Sequence, residues 1–184
     1  MNWTVPKIGC APDEDSATSI WAGLMGVPGK SQLAQTGVGT NCEDGVLSYY
    51  AWWEMYPALP VQIDYQVQSG DAMTANVIYQ QGQFQLILDN ESEHWYFSIT
   101  KAGADSDAIK AECIVEAPLD VWQQQTLQLS NFGSVGLSCL VNNQPIGVTG
   151  SQDVVYQMVG AEQHATTSPL DQEGKNFTVQ WKSS

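Results

Sequence analysis

Short segments in which apolar and polar residues alternate make up most of this chain. The clearest of them are residues 61–67, 75–79, 83–88, 95–99, 126–129 and 177–181, all rich in β-branched and aromatic side chains. Alternation with a period of two is the pattern of a β-strand that buries one face. Turn-forming residues at 69–71, 81–82, 89–92 and 101–103 separate several segments at the spacing of an antiparallel sandwich or barrel. The pattern therefore predicts an all-β protein.

Helices contribute little to the pattern. The best helical candidates are a turn or two near residues 151–153 and 104–109. No internal repeat divides the chain, so we expect one domain over residues 1–184, long enough to bury a full core. The longest apolar stretches, such as residues 20–25, are far shorter than the roughly 20 residues that span a bilayer, and no membrane segment is expected.

The composition is acidic and poor in basic residues. Twenty Asp and Glu stand against 6 basic residues, all of them Lys, for a formal net charge of −14. Nucleic-acid binding requires clustered Lys and Arg, which this chain lacks. Because carboxylates lose their charge as the pH falls, self-repulsion is smallest in acid. The composition fits an acidic working environment, and it fits equally well a soluble acidic domain kept apart by charge at neutral pH.

Cysteines and histidines give no metal signature. Four cysteines allow three disulfide pairings, and none has the close C-x-x-C spacing of a zinc site, so disulfides are possible but not required; they are Cys10, Cys42, Cys113 and Cys139. His94 and His164 lie far apart with no second ligand at helical spacing, which argues against a zinc hydrolase and a histidine relay. We expect no metal and no other cofactor.

Residues 111–116 carry two carboxylates on one strand face. Alternation puts Glu112 and Glu116 on one side and Cys113 on the other, toward a core. In a partly dry cleft, burial and like charge would raise one pKa toward the range useful for general acid and base catalysis. Taken alone, a pair of glutamates is more often a solvated strand face.

Residues 49–57 are unusually aromatic. Tyr50, Trp52 and Glu54 share one face, and Trp53 and Met55 share the other. One face can fill a core while the other lines a groove in which a carboxylate lies among aromatic rings.

Gln35 follows two apolar residues and precedes Thr36 and Gly37. The glycine allows close backbone approach. Its amide can hold a water through the oxygen and donate to an oxyanion from the nitrogen, with no change of protonation state in acid. A glutamine considered by itself would be structural.

Four ordered segments together resemble the eqolisin, or glutamic peptidase, family. They are Trp-Ala-Gly at 21–23, Ala-Gln-Thr-Gly at 34–37, Tyr-Tyr-Ala-Trp-Trp-Glu-Met-Tyr-Pro at 49–57 and Ala-Glu-Cys-Ile-Val-Glu at 111–116. Residues 131–133 and 168–171 are similar to later landmarks of the bacterial branch of that family. The resemblance extends over nearly the whole chain.

The resemblance implies a two-sheet antiparallel β-sandwich, concanavalin-like, whose curved sheet forms a substrate groove. It implies an acid endopeptidase, secreted and monomeric, with Gln35 and Glu116 as a catalytic dyad close enough to share a water. Substrates would be proteins or peptides. The residues it implies as supporting or substrate-binding are Trp21, Tyr50, Trp52, Glu54 and Glu112.

Two positions depart from the fungal members of that family. Met25 and Tyr50 stand where those members have Asp, so the carboxylate network around the site is expected to be thinner. Residues 1–6 are similar to the family's second strand, which implies that the first strand is missing or supplied differently.

Two other functions are compatible with parts of the pattern. A carbohydrate-binding sandwich would stack Tyr50, Trp52 and Trp53 on sugar rings. A glycoside hydrolase would use Glu54 and Glu116 at a separation of roughly 5 to 9 Å. Neither alternative gives Gln35 a role.

Overall fold

The computed structural model describes residues 1–25, 32–103, 110–120, 125–146 and 164–183. These ranges contain β-strands and no α-helix, which confirms the predicted all-β class. None of them holds a helix of the length and apolarity needed to cross a membrane. The helical candidates at 104–109 and 151–153 lie outside the described residues. The strands are β1 (Asn2–Thr4), β2 (Ser16–Met25), β3 (Leu33–Glu43), β4 (Val46–Tyr56), β5 (Val61–Ile63), β6 (Ala72–Gln80), β7 (Gln83–Asn90), β8 (Trp95–Ala102), β9 (Lys110–Glu116), β10 (Leu119–Asp120), β11 (Gln125–Thr126), β12 (Gln128–Leu129), β13 (Ser134–Ser138), β14 (Leu140–Val141), β15 (Gln144–Pro145), β16 (Ala165–Thr167) and β17 (Asn176–Trp181).

Two large sheets contain most of these strands. The seven-stranded sheet is antiparallel throughout, in the order β16-β17-β13-β1-β6-β7-β8. The six-stranded sheet has the order β12-β2-β3-β4-β5, with β9 also paired to β2. Strand β12 runs parallel to the first two residues of β2, and β9 pairs antiparallel with residues 19–25 of β2. Strand β2 is therefore central, with β3 on one side and β9 on the other.

The hydrophobic core lies between the two sheets. Because successive side chains of a strand point to opposite faces, each strand contributes every second residue. One buried cluster takes residues from both sheets: Trp3, Met73, Ala75, Leu88, Val135, Leu137 and Val179 from the seven-stranded sheet, and Ile20, Ala22, Val38, Ala51 and Ile63 from the six-stranded sheet. The result is the predicted two-sheet sandwich.

Two disulfides select one of the three possible pairings. Cys10 pairs with Cys42, with Cα atoms 5.6 Å apart, and Cys113 pairs with Cys139, with Cα atoms 6.6 Å apart. Cys113 packs against the core cluster, and Cys139 is a buried member of it. The second bridge therefore joins β9 of one sheet to the residue after β13 of the other, and Cys113 faces the core as predicted.

Two predicted strands are shorter than the alternation suggested. Of residues 61–67 only Val61–Ile63 form a strand, because the chain then leaves the six-stranded sheet. The ring of Tyr65 stacks on that of Trp95 at 5.1 Å, and Trp95 Nε1 donates to the carbonyl of Gln66 at 2.9 Å. The segment 126–129 is divided at Leu127, whose N–H donates to the carbonyl of Pro118.

Candidate active site

The register of β4, β3, β2 and β9 brings all seven predicted site residues to one face of the six-stranded sheet. Paired residues of antiparallel strands lie on the same side, so the pairing defines rows across the four strands. We call this surface the candidate face. Its first row is Glu54, Gln35, Gly23 and Glu112; its second is Trp52, Gly37, Trp21 and Ile114; its third is Tyr50, Gly39, Ser19 and Glu116.

The residues between these positions point into the sandwich. Ala34 is fully buried, and Trp53 and Met55 pack against it from β4. Val115 of β9 packs against the larger core cluster. The division of residues 49–57 and 111–116 into a core face and an opposite face is thus confirmed.

Glu116 is held by the indole of Trp21. Trp21 Nε1 donates a hydrogen bond to Glu116 Oε1 at 2.8 Å, and Trp21 itself is buried in the face. Burial raises the pKa of Glu116, the bond from Trp21 lowers it, and the charges of Glu112 and Glu54 raise it; the net shift is upward. Glu116 therefore has one oxygen fixed by Trp21 and gains a proton more readily than an ordinary glutamate.

Gln35 is paired with Glu54 in the first row. Gln35 Nε2 donates to Glu54 Oε2, while Gln35 Oε1 is buried with no hydrogen-bond partner among the described residues. Gln35 is only 7% exposed. Burial raises the pKa of Glu54, and the bond from Gln35 partly opposes that shift. The amide is held in one orientation with an acceptor atom and its second N–H uncommitted.

Glu112 pairs with a lysine that is not among the predicted site residues. Lys110 Nζ lies 2.6 Å from Glu112 Oε1, and the carboxylate side chain is far less exposed than the lysine. Two residues apart on one strand, these side chains share a face, so the spacing alone could have suggested the pair. The candidate face thus holds three carboxylates and one ammonium group.

Two glycines shape the middle of the candidate face. A Cβ atom at Gly37 would lie 2.7 Å from the Cα of Trp21, so β2 and β3 approach closely there. A Cβ atom at Gly39 would lie 2.5 Å from Tyr50 Oη, so the tip of the tyrosine ring covers that glycine. Gly39 and Ser19 were not among the predicted site residues, because their importance depends on which residues lie beside them in neighbouring strands.

The tryptophans of β4 lie on opposite sides of the sheet. Trp52 is 6% exposed on the candidate face, and its Nε1 has no hydrogen-bond partner among the described residues. Its carbonyl accepts a hydrogen bond from Thr36 Oγ1 at 2.7 Å. Trp53 is packed between the sheets, with Lys101 Nζ 4.8 Å from its ring centroid. The two indoles therefore cannot stack together on one ligand.

A separate depression of about 610 Å³ lies against the seven-stranded sheet. It is lined by residues of β1, β6, β13 and β17, among them Asn2, Thr74 and Thr178, and contains none of the candidate residues. Within the described ranges, no group of three or more His, Cys, Asp or Glu could hold a metal ion.

Part of this chain matches a known protein in sequence. The chain is similar to Aspergillopepsin-2 of Aspergillus niger, with 35% identity over 65 residues, which is 35% of this chain and 23% of that protein. The aligned part thus spans less than a quarter of that relative.

Solved structures share the fold over almost the whole chain. The crystal structure of aspergilloglutamic peptidase from Aspergillus niger has a TM-score of 0.75 at 23% identity, covering 91% of this chain and 99% of that one. Scytalido-glutamic peptidase with a transition state analog inhibitor has a TM-score of 0.77 at 16% identity, covering 98% and 90%. SCP-B, described as a member of the eqolisin family in a complex with the tripeptide Ala-Ile-His, has a TM-score of 0.75 at 15% identity, covering 98% and 89%.

The model of the Peptidase A4 family matches residues 1–181. That match covers nearly all of the sequence, including every row of the candidate face. The chain therefore belongs to the Peptidase A4 family, the glutamic peptidase or eqolisin family that its four ordered motifs resemble.

Proposed function

We propose that this protein is an acid endopeptidase in which Glu116 and Gln35 activate a water molecule for attack on a peptide bond. Glu116, ionised in the free enzyme, takes a proton from the water as it attacks the scissile carbonyl. Gln35 donates the second N–H of its amide to the oxyanion that forms. Glu116 then gives the proton to the leaving amine, so the cycle ends with the carboxylate restored.

One observation carries the proposal: each proposed catalytic group is oriented by a neighbour and retains a free polar function. Trp21 holds one oxygen of Glu116, and Glu54 holds one N–H of Gln35. Gln35 Oε1 is buried without a partner among the described residues, which suits a site that receives a water or a substrate atom. Such fixed dipoles need little reorganisation when charge develops in the transition state.

The rows suggest where a shared water would bind. Gln35 is in the first row on β3 and Glu116 is in the third row on β9, with Trp21 of the second row between them. A water that contacts both would lie over the Trp21 indole. Gly37, the neighbour of Trp21 on β3, leaves this region free of a second side chain.

An acidic optimum follows from the proposed chemistry and the composition. The raised pKa of Glu116 places the acid limb of activity above the ordinary glutamate value of about 4.3. Few lysines offset the carboxylates, so the fully ionised protein repels itself most at neutral pH. We expect the optimum at the upper end of the interval of about pH 3 to 5.

Peptides of extended conformation are the proposed substrates. SCP-B is described in complex with a tripeptide, and scytalido-glutamic peptidase with a transition state analog. In this chain the candidate face offers polar groups for a peptide backbone and apolar surface from Trp21 and Trp52 for side chains. We further propose a secreted monomer without a cofactor or nucleic-acid partner. The two disulfides favour an oxidising compartment.

The alternatives are less well supported. A sugar-stacking site needs exposed aromatic faces, but Trp53 is packed between the sheets and Trp52 is buried. A glycoside hydrolase with Glu54 and Glu116 leaves unexplained the buried amide of Gln35, which is bound to one of those two carboxylates.

Cleavage of an unfolded protein across pH 2 to 8 tests the proposal. We expect cleavage in acid that is insensitive to pepstatin-like inhibitors, chelators and serine reagents. Glu116→Gln and Gln35→Ala should each lower kcat/KM by about 100-fold or more, as general-base or oxyanion-donor loss does. Glu91→Gln, in the turn that follows β7 of the other sheet, is the matched control. Full activity of Glu116→Gln, or loss of activity with a chelator, would refute the mechanism.

A further inference from the structure

Tyr50 occupies a distinctive position in the third row of the candidate face. From β4 its ring extends over Gly39 of β3, and the next residues in that row are Ser19 and Glu116. Because Gly39 has no side chain, the hydroxyl reaches the middle of the face: a Cβ at Gly39 would lie 2.5 Å from Tyr50 Oη. The row therefore places a phenol hydroxyl and the carboxylate of Glu116 on two sides of a small serine.

The Tyr50 hydroxyl has no hydrogen-bond partner among the described residues. Burial raises the pKa of this phenol, so it remains a protonated donor well beyond the acid range. Some neighbouring polar groups of the face already have partners, since Trp21 donates to Glu116 and Lys110 pairs with Glu112. A half-buried donor on a substrate face, oriented by packing over a glycine, is suited to binding a ligand.

The path of a peptide follows from the positions of Gln35 and Glu116, so this step rests on the proposed function. A peptide that passes over Trp21, between Gln35 and Glu116, must cross the line joining these two residues at a steep angle. On a sheet with strands about 4.8 Å apart and about 3.3 Å per residue, such a path runs from above Glu112 to above Gly39. One end of the path therefore meets the tip of Tyr50.

We propose that Tyr50 is a substrate-anchoring residue whose hydroxyl donates a hydrogen bond to a backbone carbonyl of the bound peptide. The path from Trp21 to Gly39 is about 8 Å, which corresponds to two or three residues of extended chain on one side of the scissile bond. Tyr50 thus fixes the register of the peptide and makes binding depend on peptide length on that side.

The test measures peptide binding to a catalytically inactive protein. In the Glu116→Gln background, dissociation constants are determined for two series of uncleaved peptides, shortened stepwise from the N-terminal or the C-terminal end. Tyr50→Phe removes the hydroxyl and keeps the ring, and should weaken long peptides about five- to tenfold, the effect of one neutral hydrogen bond. This weakening should disappear in only one of the two series, once the peptide extends fewer than about two residues beyond the scissile position on the shortened side. Tyr96→Phe, on the outward face of β8, is the matched control.

Several outcomes would overturn the inference. One is equal binding of long peptides by the Tyr50→Phe variant and by the Glu116→Gln protein from which it is made. Another is a weakening by Tyr50→Phe that persists at every peptide length in both series. A third is that no peptide binds at all. Cleavage by the wild type is measured in parallel. Tyr50-dependent binding without any cleavage would refute the proposed peptidase activity and leave the anchoring role intact.

Discussion

The protonation of Glu116 is set by three neighbouring side chains that act in opposite directions. Burial raises the pKa of Glu116 and is the largest effect. The hydrogen bond from Trp21 lowers the pKa, and the charges of Glu112 and Glu54 raise it further. Single substitutions at these neighbours should therefore move the acid limb of the activity profile in opposite directions, a pattern that general loss of stability would not produce.

Trp21→Phe and Glu112→Gln make the corresponding pair of variants. Trp21→Phe removes the N–H donor, so the carboxylate is less stabilised and the acid limb of kcat/KM should move to higher pH. Glu112→Gln removes a negative charge that raises the pKa of Glu116, so the limb should move to lower pH. The measurement is kcat/KM on one peptide across pH 2 to 8.

Trp95→Phe and Glu91→Gln, far from the candidate face, should leave the acid limb of the profile in place. Shifts in the same direction for both variants would contradict this account.

Much of the site could be predicted at the scale of single residues, but its contacts could not. Alternation alone put Glu112 with Glu116 and Tyr50 with Glu54 on common faces, and the rows confirm it. The bond between Gln35 and Glu54 depends on the pairing of β3 with β4, which no local pattern encodes.

At the scale of elements, the close approach of β2 and β3 depends on Gly37. A Cβ there would overlap the backbone of Ile20 and Trp21, so the strands would have to separate at the centre of the candidate face. Gly37→Ala should lower the free energy of unfolding by at least about 1 to 3 kcal/mol, the usual cost of overpacking. Gly136→Ala on β13 is the control, because nothing lies within 4 Å of its Cβ position, and it should stay within about 1 kcal/mol of wild type. Urea unfolding measures both, and equal stability of the two variants would contradict the prediction.

The disulfide between Cys113 and Cys139 connects β9, which carries Glu112 and Glu116, to the opposite sheet. Replacing both cysteines by alanine should lower the free energy of unfolding by about 2 to 4 kcal/mol, as expected for a bridge that closes a loop of 26 residues. Because Cys113 faces the core, kcat/KM of the folded variant should match the wild type below its melting transition. The same double replacement at Cys10 and Cys42 serves as comparison. Inactivity of a folded Cys113→Ala, Cys139→Ala protein would show that the bridge positions the catalytic strand.

The elements predicted best from sequence are those that pack one face against the core along most of their length, such as β7 and β17. Strand β5 was predicted too long because residues 64–67 also alternate. The side chain of Tyr65, however, stacks on Trp95 of β8 in the other sheet, and the carbonyl of Gln66 accepts a hydrogen bond from the same indole. A period of two records that one face is buried and does not record which sheet buries it.

At the scale of the whole molecule, two carboxyl groups of the candidate face couple the fold to pH. Burial raises the pKa of both Glu116 and Glu54 above their ordinary values. Such groups contribute stability below their unfolded pKa, and the contribution is lost as the pH rises through the folded value. Glu14 acts in the opposite sense, because hydrogen bonds from the Ala11 N–H and the Ser16 hydroxyl lower its pKa, but it is on the surface and contributes little.

Thermal stability should therefore be greatest in acid, at about pH 3 to 5, and fall toward neutrality. Self-repulsion adds to this fall, because 20 acidic residues against 6 lysines give the chain a formal net charge of −14 at pH 7. Melting temperatures measured across pH 2 to 8 test the prediction for the wild type. In Glu54→Gln, Glu116→Gln the two partly buried groups stay neutral, so the melting temperature should fall less between pH 5 and 7 than in the wild type. The same pair of replacements at the surface, Glu43→Gln with Glu91→Gln, removes as much charge without removing a partly buried carboxyl. If both double variants flatten the profile equally, net charge alone sets the pH dependence; a wild-type maximum at pH 7 or above would refute the acid adaptation itself.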